Sequence, residues 1–132
     1  MELASLVGSW RLRRRLIDRR AGIRGRVEGE LRIEPDADGL RWLEVGRLDW
    51  AGQTIDVRRG YALRRLGDEW WMTFEDGRPF HPWTPGRPVV HDCAEDVYTG
   101  LVEVEPTRLR TLWDVTGPTK SQRIVTRLDR SG

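Results

Sequence analysis

The sequence predicts a single antiparallel β-barrel of eight to ten strands, on three observations. The dominant hydrophobic period is two along almost the whole chain. Turn signals rich in Gly, Pro and Asp separate the alternating runs at short intervals. Only residues 2–7, ELASLV, read as helical, and one short turn cannot cover a sheet. Sequential strands without a covering helix pack as a sandwich or close as a barrel, and closure is favoured because it removes sheet edges. The 132 residues make one domain, 1–132, around one core.

After the N-terminal turn, the first strand opens at Gly8-Ser9-Trp10. It sets Trp10, Leu12, Arg14 and Leu16 on one face and Arg11, Arg13 and Arg15 on the other. RVEGELRI (26–33) alternates Val27, Gly29, Leu31 and Ile33 with Arg26, Glu28, Glu30 and Arg32, the pattern of a strand with one wet face. LRWLEVGRLDW (40–50) puts Glu44 in phase with Leu40 and Trp42, and which phase faces inward stays open. Further strands are read at 53–66, 69–76, 89–96, 97–105, 108–115 and 120–130, divided by PDADG, WAGQ, LGDE, EDGRP, TPGRP, EPT and TGPT. The longest irregular piece, residues 77–88, reads as a loop over one mouth of the barrel.

Composition excludes several classes. Hydrophobic residues are 38% and charged residues 33%, a globular rather than a disordered balance. The net charge is +2, with Lys120 the sole lysine and eight arginines set against Glu2 and Asp18 in residues 1–26. Arg11, Arg13 and Arg15, with Arg24 and Arg26, form a surface that phosphates could contact. Their interleaved apolar partners face inward, however, and Glu28 and Glu30 follow on the next strand, so a solvated outer face is preferred and nucleic acid is not an expected partner. Cys93 stands alone, which rules out an intramolecular disulfide and suits a reducing, cytoplasmic compartment. No stretch approaches the ~20 apolar residues of a membrane helix, and the start lacks a basic region followed by an apolar run.

A helical turn, then Gly8-Ser9-Trp10 opening the first strand, then a basic residue on the last strand, resembles the lipocalin and fatty-acid-binding superfamily. The resemblance implies that Trp10 closes the barrel floor under an arginine, Arg127 or Arg123, in a cation–π contact. The blocks LVGSWRLRR, LEVGRL, RRGYALRR, TFEDGRPFH, HDCAEDVYTG and WDVTGPTKSQRIVTRL are similar, over nearly the whole chain, to an uncharacterised bacterial family of lipocalin-like domains. That likeness implies the fold and carries no activity. Gln122 stands where an aromatic would be expected after Lys120, which points to an altered cavity end.

FHPWTPGRPVVHDCAEDVYTG (80–100) gathers both histidines, the only cysteine and one of two tyrosines. His91 and Cys93 are two apart and share a strand face; a free thiol is more often buried, so both are placed inward. Three chemistries compete. His81, His91, Cys93 and Asp96 are all legitimate zinc ligands, but their spacing matches no zinc motif, and neither a metal nor a cofactor is expected. His91, Cys93, Asp96, Tyr98 and His81 are the candidate catalytic groups for cofactor-free isomerisation, cyclisation or hydrolysis by acid–base chemistry. The third possibility is a self-satisfied polar network.

The leading function is binding of a small organic ligand in the cavity, as a carrier or sensor. Trp42, Trp70, Trp83, Trp113 and Phe80 would supply the wall, and Arg14, Glu44, Arg59, Tyr61 and Lys120 the polar contacts. GPTK (117–120) has one glycine followed by proline, which cannot offer the row of N–H donors a phosphate needs.

Overall fold

Alternation of apolar and charged side chains drives ten segments into one antiparallel sheet. A computed structural model describes residues 2–131, and its strands are β1 (Gly8–Asp18), β2 (Ile23–Asp36), β3 (Gly39–Trp50), β4 (Gln53–Leu66), β5 (Glu69–Phe74), β6 (Pro79–Pro82), β7 (Val89–Cys93), β8 (Asp96–Val104), β9 (Arg108–Thr116) and β10 (Ser121–Arg130). Their spatial order is β6-β5-β4-β3-β2-β1-β10-β9-β8-β7, so the sheet curls round until β6 and β7 lie side by side with no ladder between them. The result is a nearly closed lipocalin-like barrel with one unzipped seam. Both seam strands are short, and Pro79, Pro82 and Pro88 remove N–H groups there, which blunts the two edges.

Two departures from the sequence expectation bear on the cavity mouth. Residues 79–82, expected within a loop, form β6, and β7 ends at Cys93 because Ala94 adopts a left-handed turn conformation, φ 56°. No helix among the described residues is long and apolar enough to cross a membrane.

Register settles the open phase of β3. Ile33 pairs with Trp42 and Leu31 with Glu44, and all four are buried, so Trp42 and Glu44 point inward. Where β2 crosses β3, Gly29 faces Gly46, and a Cβ on Gly29 would sit 2.0 Å from the Val45 carbonyl oxygen. Two bare backbones therefore meet here, which lets the long strands bend into a barrel.

One end of the barrel is solid. Leu6, Trp10, Leu12, Leu31, Ile33, Leu63, Leu109 and Leu128 fill it, and the 3-10 turn Leu3–Leu6 lies across it. Trp10 is wholly buried and donates its Nε1–H to Leu6 O at 3.0 Å. The cation over its ring is Arg130, 4.1 Å from the ring centre, and Arg130 also donates to the carbonyls of Val7, Ser5 and Pro106. The expected Arg127 and Arg123 lie instead on the outer face, paired with Asp129 and Asp114. Inward positions on β10 are Thr126 and Leu128, so Arg130 is next in phase and Arg127 is not.

The arginines of β1 face solvent as expected. Arg11 stands across from Glu30 and Arg13 from Glu28, and Arg13 bonds Asp129 at 3.2 Å.

Candidate functional site

Above the solid end the barrel opens into a cavity of about 740 Å³. Arg14 and Glu44, both in phase with buried apolar neighbours, form its polar base. Arg14 Nη2 donates to Glu44 Oε1 at 2.9 Å and Arg14 Nε to Thr126 Oγ1 at 2.8 Å, while Trp42 Nε1–H donates to Glu44 Oε2 at 3.1 Å. Both charged side chains are about nine-tenths buried, so this is a desolvated pair whose remaining bonds come from neutral donors and acceptors. Thr126 carries no signal of its own in the sequence, although it pairs directly with Arg14 across the β1–β10 ladder.

The walls are aromatic. Phe80 stacks on Phe74 (centroids 4.8 Å apart, planes 19° apart) and on Trp113 (4.9 Å, 19°), with Tyr61 at 5.9 Å. Trp113 can lie flat because β8 offers Gly100 beneath it; a Cβ there would come within 2.4 Å of the indole. Trp42 meets Trp83 edge to face at 6.2 Å, and Trp83 is held by its backbone N–H on Trp70 O. Trp83 thus stands in the wall and anchors the start of the 83–88 segment.

Phe80 and His81 are sequence neighbours yet both line the cavity. The register of β5 against β6 shifts between Met72 and Thr73, and this irregularity breaks the strict alternation of β6. His81 is almost wholly buried. Its Nδ1 lies 2.8 Å from Pro82 O, and a carbonyl only accepts, so Nδ1 carries the proton and Nε2 the lone pair. No buried polar side-chain atom among the described residues lacks a partner, and the ring makes no second bond, so Nε2 opens to the cavity.

Burial pushes the His81 imidazole below its usual 6.5; the Pro82 bond opposes this and nearby His91 adds to it. A folded pKa below the unfolded one means that stability is fully present above about pH 6.5 and is lost as pH falls towards the folded value. The carboxylates held low by arginines, such as Asp36 and Asp114, titrate below their ordinary 3.8 and leave that window clear. The wild-type melting temperature should therefore drop between pH 7.5 and 5.5, and His81→Gln should flatten the drop; an identical slope in the variant would remove His81 as its source.

Of the expected site residues, Arg14, Trp42, Glu44, Arg59, Tyr61, Phe80, His81, Trp83, His91, Cys93, Tyr98 and Trp113 line the cavity. Phe74, Arg78 and Gln122 join them. Asp96, Lys120 and Trp70 do not. Asp96 pairs with Lys120 at 3.1 Å and packs on Gly117, fastening the 117–120 turn to β8 rather than tuning a histidine. Trp70 lies over Gly39 against the solid core. Cys93 lines the cavity only at its rim and is exposed there, not buried, because β7 ends at this residue. Among the described residues no three His, Cys, Asp or Glu side chains converge, so His81, His91, Cys93 and Asp96 form no ligand set.

Residues 6–130 match the model of a protein family described as a family of unknown function, DUF6314. No curated protein matches the chain. Among solved structures, an S-type phycobiliprotein lyase from Guillardia theta is similar over 98% of this chain and 90% of its own, with TM-score 0.64 and 13% identity. A protein of unknown function from the DUF3598 family of Nostoc punctiforme is similar with TM-score 0.63 and 11% identity; the match covers 99% of this chain and 49% of that one.

Proposed function

The chain belongs to the DUF6314 family, and because that family brings no activity with it, we propose from the cavity alone that the protein binds a small organic molecule inside its barrel, as a carrier or sensor. The carrying observation is the cavity itself: about 740 Å³, with aromatic walls and a satisfied polar base. Ligand pockets of drug-sized molecules span about 300–1,000 Å³ and combine apolar walls with a few convergent polar groups. The lyase-like barrel shares its fold and few of its residues with this chain, so the reading rests on this chain's own side chains.

In this reading Trp42, Tyr61, Trp83 and Trp113 contact the apolar body of the ligand. Arg59 borders the cavity from an exposed position and forms no ion pair among the described residues, and it meets an acidic or acceptor end. A cytoplasmic, reducing setting keeps the exposed Cys93 a thiol.

One observation favours a second reading, proton transfer. His81 offers the cavity a neutral imidazole with a free Nε2 lone pair, the form a general base requires, and His91 and Tyr98 line the same cavity.

Native mass spectrometry of untagged protein, compared with its denatured mass, tests the binding reading. The expected result is an organic adduct lost on denaturation and weakened by Arg59→Ala. A bare mass, together with no thermal shift against a library of small organic acids and aromatics, would overturn it.

A further inference from the structure

We propose that Phe80 is a built-in placeholder for a flat, conjugated heterocycle with hydrogen-bonding edges, which enters the barrel by displacing the phenyl ring. The inference deepens the binding reading above and rests on it.

Phe80 occupies a slot shaped for a disc. Phe74 and Trp113 stack on it with planes only 19° from parallel. Around its perimeter His81 (4.9 Å, 75°), His91 (5.2 Å, 80°) and Tyr98 (6.4 Å, 88°) approach edge-on. Aromatic faces thus cover a flat guest while groups able to donate or accept hydrogen bonds surround its rim. A phenyl ring uses the faces and wastes the rim. The Nε2 lone pair of His81 opens to the cavity, and neither His91 nor Tyr98 makes a side-chain hydrogen bond among the described residues. A flat heterocycle with ring N–H and carbonyl groups satisfies both, gaining stacking on every face it presents and bonds at its edge.

The strand that carries Phe80 is the least tied in the sheet. β6 has four residues, two of them prolines at its ends, a ladder on one side only, and an irregular register in that ladder. Swinging one side chain there breaks no hydrogen bond, and the vacated slot is continuous with the cavity Phe80 lines.

Titration with lumichrome, a flat tricyclic heteroaromatic with N–H and carbonyl edges, tests the proposal against palmitate, a flexible chain. Phe80→Ala should tighten lumichrome about tenfold and Trp113→Leu should weaken it about tenfold, with stacking seen as quenched lumichrome fluorescence. Palmitate affinity should change less than about threefold in either variant. Far-UV circular dichroism checks the fold, and Phe80→Leu, which keeps the volume and loses the flat face, should give the same direction if the alanine variant unfolds. Palmitate binding with lumichrome unchanged or weakened by the Phe80 substitutions would overturn the placeholder and leave ligand binding standing. Binding of neither probe would overturn both.

Discussion

Trp10→Ala should lower the unfolding free energy by about 4 kcal/mol, within the range of about 3–5 for truncating a buried large aromatic. The indole is fully buried at the solid end, and three further losses accompany its volume. Its Nε1–H no longer holds Leu6 O, so the 3-10 turn loses a direct tie to the floor. Arg130 loses the ring beneath its guanidinium, and with it the reason to crowd the carbonyls of Ser5 and Val7. In a chain of this length the melting temperature should fall by about 15 °C. Urea unfolding with an unchanged slope checks the magnitude. Arg130→Met, which keeps part of the packing and removes the charge, should cost about 1–2 kcal/mol. A loss under about 1.5 kcal/mol for the tryptophan itself would mean that the turn and the floor are stabilised independently of the indole.

Glu44→Ala should cost about 3 kcal/mol, because it strands Arg14 as an unpaired cation in a site nine-tenths closed to solvent. The figure sits at the lower end of the range for such breaks because Arg14 borders the cavity, where water can reach it. Trp42 also loses the acceptor for its ring N–H. Replacing both charges, Arg14→Met with Glu44→Leu, should recover most of the loss, since a well-packed apolar pair is about as stable as a buried ion pair. The double variant should nevertheless bind less ligand, for it keeps the fold and erases the polar base. Equal losses in the single and the double variants would show that the two side chains act through volume and not through charge.

Much of this base is legible in the amino-acid pattern. Period two puts Arg14 with Trp10 and Leu12, and Glu44 with Leu40 and Trp42, and a buried cation and a buried anion in one small core have few partners other than each other. Their third partner, Thr126, is not legible, because only the β1–β10 register brings residue 126 beside residue 14. The floor cation is missed for a related reason. Ile124 and Val125 are both apolar, so hydrophobicity alone does not give the phase of β10, and Arg130 emerges only from the burial of Thr126 and Leu128. At the rim, composition misleads. A lone cysteine beside a histidine reads as interior, but β7 runs out at Cys93, and Asp96 finds Lys120 across a turn whose conformation no local pattern announces. The Phe80 slot depends on a register irregularity opposite Met72 and Thr73, which side-chain alternation by its nature conceals.

The unzipped seam also has a kinetic meaning. Among the described residues, eight of the nine strand ladders join consecutive strands, and only β1–β10 spans the chain. Local hairpins form quickly, whereas closing a loop of roughly a hundred residues is the entropically expensive step, so variants that weaken the β1–β10 ladder should slow folding more than those that weaken a hairpin. The break between β6 and β7 falls inside the sequence, between Pro82 and Val89, and not at its ends. A chain cut within 83–88 keeps all nine ladders, and the two fragments carry β1–β6 and β7–β10, joined through the β1–β10 ladder that the intact chain finds hardest to make.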